Sequence, residues 1–139
     1  MLCSVGEYVS DPHTGTCSPC AAGRYQPNTD SPETECDYAC PAGTYLNDAG
    51  TDASLHESED DCSDCPAGRS SNFEAGLGEC YTCGSGRYSD STGAHRCGNC
   101  TAGSYLTDAA TDETLHDSAA DCSVCSAGTY VGTTGASAW

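Results

Sequence analysis

The thirteen cysteines are the side chains of this sequence most suited to chemistry. They recur in one unit, CxxGxY followed by a variable spacer and CxxC, in which the second Cys of CxxC also opens the next unit. Thiols at such spacings can form disulfides, bind zinc as thiolates or exchange electrons. The units open at Cys3, Cys20, Cys40, Cys65, Cys83, Cys100 and Cys125, and their closing cysteines are Cys17, Cys36, Cys62, Cys80, Cys97 and Cys122.

Zinc binding is the first alternative to disulfides. Cys62, Cys65, Cys80 and Cys83 spell CxxC, fourteen residues and CxxC, which is close to a zinc-ribbon spacing. The next such set overlaps this one, and one CxxC pair cannot serve two tetrahedral sites. A thioredoxin-like role would need a βαβ framework, which the sequence lacks. We therefore expect disulfides, with no metal and no cofactor.

The composition explains why disulfides are needed. The 139 residues include no Ile, one Phe, one Trp and one Met. So few apolar side chains cannot offset a conformational entropy cost of about 1–2 kcal/mol per ordered residue. Cysteine makes up about 9% of the chain, as in small secreted disulfide scaffolds. Because a cytosol would keep these thiols reduced, we expect an extracellular or cell-surface location.

The charge of the chain limits its partners. A net charge of −17 arises from 21 acidic residues against four Arg and no Lys. This charge argues against binding to nucleic acid or to anionic lipid. The expected partners are neighbouring copies, other extracellular proteins with basic surfaces, and divalent cations. No apolar run is long enough to span a membrane, and Met1 to Ser10 lacks the features of a secretory signal. We interpret the chain as a window of a longer repeat array.

The repeats are nested. The segment from Cys40 to Cys65 aligns without a gap to the segment from Cys100 to Cys125, at a constant offset. Two short modules and one long module therefore form a super-repeat. The predicted modules are 3–19, 20–39, 40–64 (long), 65–82, 83–99, 100–124 (long) and a truncated 125–139.

Each short module is predicted to be a loop-rich hairpin, because runs between Gly, Pro, Asn and Asp rarely exceed four residues. The long modules add an insert, Thr51 to Asp61 or Thr111 to Asp121. In each insert Thr or Asp stands in N-cap position before Leu55 or Leu115. We expect one or two helical turns there and little other regular structure.

The repeat order restricts the pairing of the cysteines. If each module is a self-contained fold, its opening cysteine should bond its own closing cysteine. Cys125 is then left unpaired, pairs with a cysteine outside residues 1–139, or forms an intermolecular bond. The expected bonds are Cys3–Cys17, Cys20–Cys36, Cys40–Cys62, Cys65–Cys80, Cys83–Cys97 and Cys100–Cys122.

The signatures CSVGEY, CAAGRY, CPAGTY, CGSGRY, CTAGSY and CSAGTY carry a family resemblance. They resemble the module that opens tumour necrosis factor receptor cysteine-rich domains, and more closely the tandem ephrin-receptor-like cysteine-rich repeats. The resemblance covers essentially the whole chain and implies the same pairing of each Cys with the next. Two joints depart from the pattern: Cys36 and Cys40 have three residues between them instead of two, and the module at Cys65 has GRS in place of an aromatic residue.

Within the signature, the glycines are predicted to allow a positive φ or a close backbone approach. The tyrosines are predicted to pack on a disulfide and on the neighbouring module, with the hydroxyl towards water. A tyrosine binding stripe is the alternative. The glycines are Gly6, Gly23, Gly43, Gly68, Gly86, Gly103 and Gly128, and the tyrosines are Tyr8, Tyr25, Tyr45, Tyr88, Tyr105 and Tyr130.

The inserts offer a second kind of chemistry. Asp48 with Asp52, and Asp108 with Asp112, present hard oxygens that calcium prefers, although the spacing does not match an EF-hand. Solvation and helix capping is our preferred interpretation. His56 and His116 also recur, but one imidazole in each long module cannot make a metal site alone. We expect both to be surface residues at the end of a helical turn.

No arrangement typical of catalysis is present, so we expect no enzyme activity. Asn99, Cys100 and Thr101 form an acceptor for N-linked sugar. The large apolar residues that do not repeat, Phe73, Leu77 and Trp139, are where we would look for a contact.

Together these patterns predict a small disulfide-rich repeat protein. We expect an elongated rod of tandem hairpin modules, each contacting only its neighbours. The predicted function is a structural one, as an extracellular stalk, spacer or fibre-forming segment. The alternative, implied by the family resemblance, is the ligand-binding ectodomain of a cell-surface receptor.

Overall fold

The computed structural model describes residues 2–72 and 78–138. In these residues the chain forms short antiparallel hairpins and loops, and 3₁₀ turns are its only helical elements. The prediction of a small disulfide-rich fold with little regular structure is confirmed. Such disulfide density indicates an extracellular or secreted protein. None of the described helical elements has the length and apolarity needed to cross a bilayer.

The regular elements of the described residues are short. The 3₁₀ turns, two in each long module, are Ala53–Leu55, Glu59–Asp61, Glu113–Leu115 and Ala119–Asp121. The strands are β1 (Glu7–Asp11), β2 (Thr16–Pro19), β3 (Arg24–Tyr25), β4 (Tyr38–Ala39), β5 (Thr44–Tyr45), β6 (Ser63–Asp64), β7 (Arg69–Ser70), β8 (Tyr81–Thr82), β9 (Arg87–Tyr88), β10 (Gly98–Asn99), β11 (Ser104–Tyr105) and β12 (Ser123–Val124).

Consecutive strands pair two by two, so each complete module contains one hairpin. The first strand of a hairpin follows the signature glycine, and the second lies at or just after the closing cysteine. In the second module, for example, Arg24 lies opposite Ala39 and Tyr25 opposite Tyr38. The hairpin β1–β2 is the longest, with an irregularity between Val9 and Asp11. All seven signature glycines have a positive φ, as predicted.

Six disulfides cross-link the modules internally. The bonds are Cys3–Cys17, Cys20–Cys36, Cys40–Cys62, Cys65–Cys80, Cys83–Cys97 and Cys100–Cys122, the same pairs that the repeat order predicts. Each joins residues 14 to 22 positions apart. Closing a loop of this size contributes about 3 kcal/mol in the chain-entropy model. Cys125 is a free thiol and is half-buried.

The chain divides into two compact units, which follow the super-repeat. The described part of the first unit is residues 2–63 with 78–79, and that of the second is residues 64–72 with 80–138. Each unit contains two short modules followed by a long one. The period of the super-repeat in the sequence is therefore also a period of the structure.

Cysteine replaces most of the usual core. Most of the buried apolar residues in the described part of the chain are cysteines. The others are Val9, Tyr25, Leu46 and Leu106. Leu46 and Leu106 are core residues that no sequence pattern had indicated. They are 5% and 4% exposed and hold equivalent places in the two long modules.

The predicted packing of the signature tyrosines is only partly found. Tyr25 is buried and stacks on Tyr38, with ring centroids 5.5 Å apart. Tyr8, Tyr45, Tyr88 and Tyr105 are half-buried. The prediction is wrong for Tyr130, which is 86% exposed. Phe73, Leu77 and Trp139 lie outside the described residues.

The expectation that each module contacts only its neighbours is wrong. The N–H of Gly6 donates to the carbonyl of Gln26 in the next module, 2.8 Å away. A Cβ at Gly6 would also overlap the carbonyl oxygen of Ala53, which belongs to the third module. Gly68 repeats this arrangement with Ser89 and Glu113 in the second unit. The long insert reaches back across the short module that precedes it, and this closes each unit.

Candidate functional site: the aspartate and histidine clusters of the long modules

Two equivalent polar clusters organise the inserts. The first cluster is Asp48, Thr51, Asp52 and His56 in the first unit, and the second cluster is Asp108, Thr111, Asp112 and His116 in the second unit. Each begins shortly after the buried leucine of its long module, and each ends at the residue that follows a 3₁₀ turn. The chemistry of the inserts is therefore concentrated in these residues.

Asp48 is the centre of the first cluster. Its Oδ2 atom accepts hydrogen bonds from the backbone N–H groups of Gly50 (3.0 Å), Thr51 (2.8 Å) and Asp52 (3.2 Å). Its Oδ1 atom accepts one from the Thr51 hydroxyl. The Thr51 hydroxyl and N–H, followed by the His56 ring, hold the pKa of Asp48 well below its ordinary value. The carboxylate is therefore ionised, and its hydrogen bonds hold the backbone from Gly50 to Asp52 in a turn.

Asp108 does the same in the second cluster. It accepts hydrogen bonds from the N–H groups of Thr111 (2.8 Å) and Asp112 (3.4 Å), and from the Thr111 hydroxyl. The pKa of Asp108 is well below its ordinary value, because of the Thr111 hydroxyl first and the His116 ring second. The same turn is therefore present at the equivalent place in the second unit.

The second aspartate of each cluster caps the first 3₁₀ turn. Asp52 accepts hydrogen bonds from the N–H (3.0 Å) and the hydroxyl (2.7 Å) of Ser54. Asp112 accepts the equivalent pair from Thr114, at 2.9 Å and 2.7 Å. These bonds lower the pKa of both carboxyl groups, with the hydroxyl donor as the larger cause. The prediction of Asp as the N-cap is confirmed.

The second 3₁₀ turn of each insert carries a reciprocal cap. In the first unit Oδ2 of Asp61 accepts from the N–H of Ser58 at 2.8 Å, and in the second Oδ2 of Asp121 accepts from Ser118 at 2.9 Å. The closing cysteine, Cys62 or Cys122, is the next residue in both cases. The capped turn therefore leads directly into the disulfide that ends the long module.

The histidines are not surface residues, so that expectation is wrong. His56 and His116 are both fully buried, at 0% exposure. Nδ1 of His56 lies 2.6 Å from the carbonyl oxygen of Arg24, and Nε2 lies 3.1 Å from Oδ2 of Asp48. The insert folds back onto β3 of the preceding module, and this contact covers the ring.

His116 has the same surroundings. Its Nδ1 lies 2.7 Å from the carbonyl oxygen of Arg87, and its Nε2 lies 2.9 Å from Oδ2 of Asp108. The backbone carbonyls of the two histidines also accept hydrogen bonds from the preceding module, from the N–H of Gln26 (2.9 Å) and of Ser89 (2.8 Å). Each histidine thus joins two modules through both its side chain and its backbone.

The geometry bears on the alternative of calcium binding by the inserts. The oxygens of Asp48 and Asp108 already accept several hydrogen bonds each, and those of Asp52 and Asp112 bond the following turn. No group of three or more His, Cys, Asp or Glu residues within 2–72 and 78–138 is arranged to hold a metal ion. The inserts use their carboxylates to cap backbone, which was the preferred interpretation. The cysteines that suggested a zinc ribbon are bonded in disulfides.

The predicted glycosylation site lies on β10. Asn99 is exposed, and Thr101 is exposed as well, whereas Cys100 between them is fully buried in its bond to Cys122. The Asn99 side chain lies against Gly135. Sugar attachment at Asn99 stays a prediction.

A shallow depression of about 230 Å³ lies in the second unit. Its lining contains no carboxylate, imidazole or free thiol. The residues that line it are Tyr88, Thr101, Ser104, Ala119, Cys122 and Val124.

A scan of protein-family models finds none that matches this chain, and a search of curated proteins also finds no match.

Proposed function

We propose that this chain is a non-enzymatic structural segment of an extracellular protein, serving as a stalk, spacer or fibre-forming repeat. The observation that carries the proposal is the repetition of one complete unit. The disulfides, the insert cluster and the backbone contact to the first glycine recur in both halves of the chain. A recognition site seldom needs two copies of one element, whereas a spacer is built from such copies.

The use of polar side chains supports the same proposal. The aspartates of the inserts bond their own turns, and the buried histidines bond backbone of the preceding module. These groups stabilise the modules. The net charge of −17 keeps the surface solvated and opposes nonspecific association. A long-lived extracellular spacer needs both properties.

Solution scattering tests the proposal. A compact domain of this length would have a radius of gyration of about 14 Å. We expect the monomeric chain to exceed that value clearly, with a scattering profile typical of an elongated particle. A radius of gyration equal to that of the compact domain, at a concentration where sedimentation shows a monomer, would remove the basis for a stalk. Negative-stain imaging then separates a spacer, seen as short particles, from a fibre, seen as filaments.

Receptor ectodomain is the second candidate, and exposed aromatic residues favour it. Tyr81 is 60% exposed and Tyr130 is 86% exposed, and neither belongs to the repeated insert. A receptor would use such exposed aromatic side chains to hold a protein ligand. Specific capture of an extracellular protein by the chain, lost in Tyr81→Ser but retained in Tyr45→Ser, would support this candidate over the structural one.

A further inference from the structure

The buried histidine rings face hydrogen-bond acceptors on both sides. Nδ1 of His56 meets a backbone carbonyl, which can only accept, so this nitrogen must carry a proton. Nε2 meets a carboxylate that already accepts from backbone N–H groups and from a hydroxyl. An ionised carboxylate also only accepts, so Nε2 must carry a proton too. His116 meets the same two acceptor types.

We propose that His56 and His116 are imidazolium cations that clamp each insert to the module before it, and that loss of one ring proton releases the clamp. The positive charge lies between two acceptors within a unit of strongly negative composition. A neutral ring would leave a nitrogen lone pair facing a carboxylate oxygen about 3 Å away, with no water to mediate because the ring is fully buried.

The alternative is that the aspartate carries the proton and donates to a neutral ring. The donors around Asp48 argue against it, because both carboxylate oxygens receive N–H or O–H bonds that a neutral acid would weaken. The lowered pKa values of Asp48 and Asp108 point the same way. The shared proton therefore belongs to the ring.

Other charged groups of the described residues also act on the rings. Asp52 and Asp112 interact electrostatically with His56 and His116, and both are anions that favour a cationic ring. Arg24 contributes only its carbonyl, since its guanidinium donates to the carbonyl of Cys36. Arg87 likewise contributes its carbonyl to His116. Each ring thus lies between aspartate carboxylates on one side and a backbone carbonyl on the other.

Release of the clamp would open the contact between insert and preceding module. The bond from Gln26 N–H to the His56 carbonyl lies beside the first ring, and the bond from Ser89 N–H to the His116 carbonyl lies beside the second. These two amides report the state of the clamp in each unit. The chain also contains two exposed histidines, His13 and His95, which serve as internal references.

Nitrogen-detected NMR of the histidine rings tests the charge directly. At about pH 7.5, which is above the ordinary histidine pKa of about 6.5, we expect His56 and His116 to show protons on both ring nitrogens and slow exchange of those protons. A neutral ring with a single protonated nitrogen at His56 or His116, under the same conditions, overturns the proposal.

Hydrogen exchange with a pair of variants tests the release. In the native protein, the protection factors of the Gln26 and Ser89 amides should fall by up to about tenfold per pH unit as the pH rises through the range in which a released ring is neutral but the clamped ring is still charged, and should level off once the clamped ring has lost its proton. Asp48→Asn replaces the carboxylate that faces Nε2 with a neutral amide, so the charged ring loses its counter-ion and Gln26 should lose most of this pH dependence while Ser89 keeps it. Asp108→Asn should give the reverse.

Each variant is therefore the control for the other within one chain. Protection factors of Gln26 and Ser89 that stay constant across the titration in the native protein would contradict a proton-dependent clamp. If a variant fails to fold, the ring NMR of the native protein decides the question by itself.

Discussion

The contact between the first glycine of each unit and the insert leads to a sharp prediction. Gly68 has a φ of +82°, and a Cβ there would overlap the backbone carbonyl of Glu113. Gly103, in the same unit, has a φ of +87° but no atom within 4 Å of the Cβ position among the described residues. Substitution of either by alanine meets the same backbone strain, and only Gly68→Ala meets the steric overlap.

The expected magnitudes follow from these two terms. An alanine in the left-handed region costs about 1–2 kcal/mol, so Gly103→Ala should lower the free energy of unfolding by that amount. Overpacking adds about 1–3 kcal/mol, so Gly68→Ala should cost about 2–5 kcal/mol. Gly6→Ala should behave like Gly68→Ala, because its Cβ would overlap the carbonyl of Ala53.

Urea unfolding with the disulfides intact measures the difference. Hydrogen exchange of the Ser89 amide locates it, since that amide bonds the insert that Gly68→Ala would displace. If Gly103→Ala is as destabilising as Gly68→Ala, the close approach of the insert is not a constraint and the reasoning fails.

Three further predictions concern charge and sulfur. The folded-state pKa values of Asp48 and Asp108 lie below their unfolded values, so both carboxylates stabilise the fold above about pH 4, and this stabilisation is lost as the pH falls through the folded values. Thermal unfolding between pH 7 and pH 2 should show the loss as a falling melting temperature. The double variant Asp48→Asn/Asp108→Asn should show a weaker dependence of the melting temperature on pH. Glu113→Gln removes the ion pair between Arg69 and Glu113, and both side chains are partly exposed, so the free energy of unfolding should change by less than about 1 kcal/mol. A larger loss in urea titration would mean that the pair is better shielded from water than its exposure indicates. Native maleimide labelling, read by intact mass, should modify one thiol per chain, and Cys125→Ser should abolish the reaction; more than one modified thiol would show that a disulfide is incomplete.

Local features of this fold could be predicted from the sequence, because a few adjacent residues encode them. The pairing of Cys40 with Cys62 and the positive φ of Gly43 both follow from the repeated signature. The N-cap at Asp52 follows from the residue types before Leu55. None of these depends on a distant part of the chain.

The buried histidine clusters could not be placed in the same way. The burial of His56 depends on the carbonyl of Arg24, 32 residues earlier, and a carbonyl has no signature in the sequence. A usable signal was nevertheless present: each repeated histidine follows a repeated aspartate by eight residues, in Asp48 and His56 as in Asp108 and His116.

The contact between Gly6 and Ala53 was missed for a related reason. A tandem repeat suggests contacts between successive modules. The length of the insert does not tell which module the insert packs against. Only the three-dimensional path shows that the insert returns past the short module.

The consecutive order of the disulfides has a consequence for biosynthesis. If the chain emerges progressively into an oxidising compartment, each closing cysteine finds its native partner already present, because that partner is the cysteine directly before it. Cys17 follows Cys3 and precedes Cys20, and every later bridge repeats this order, so a native pair is complete before the next opening cysteine emerges. Such a protein can mature without reshuffling of its bonds, and an array of any length would mature equally well.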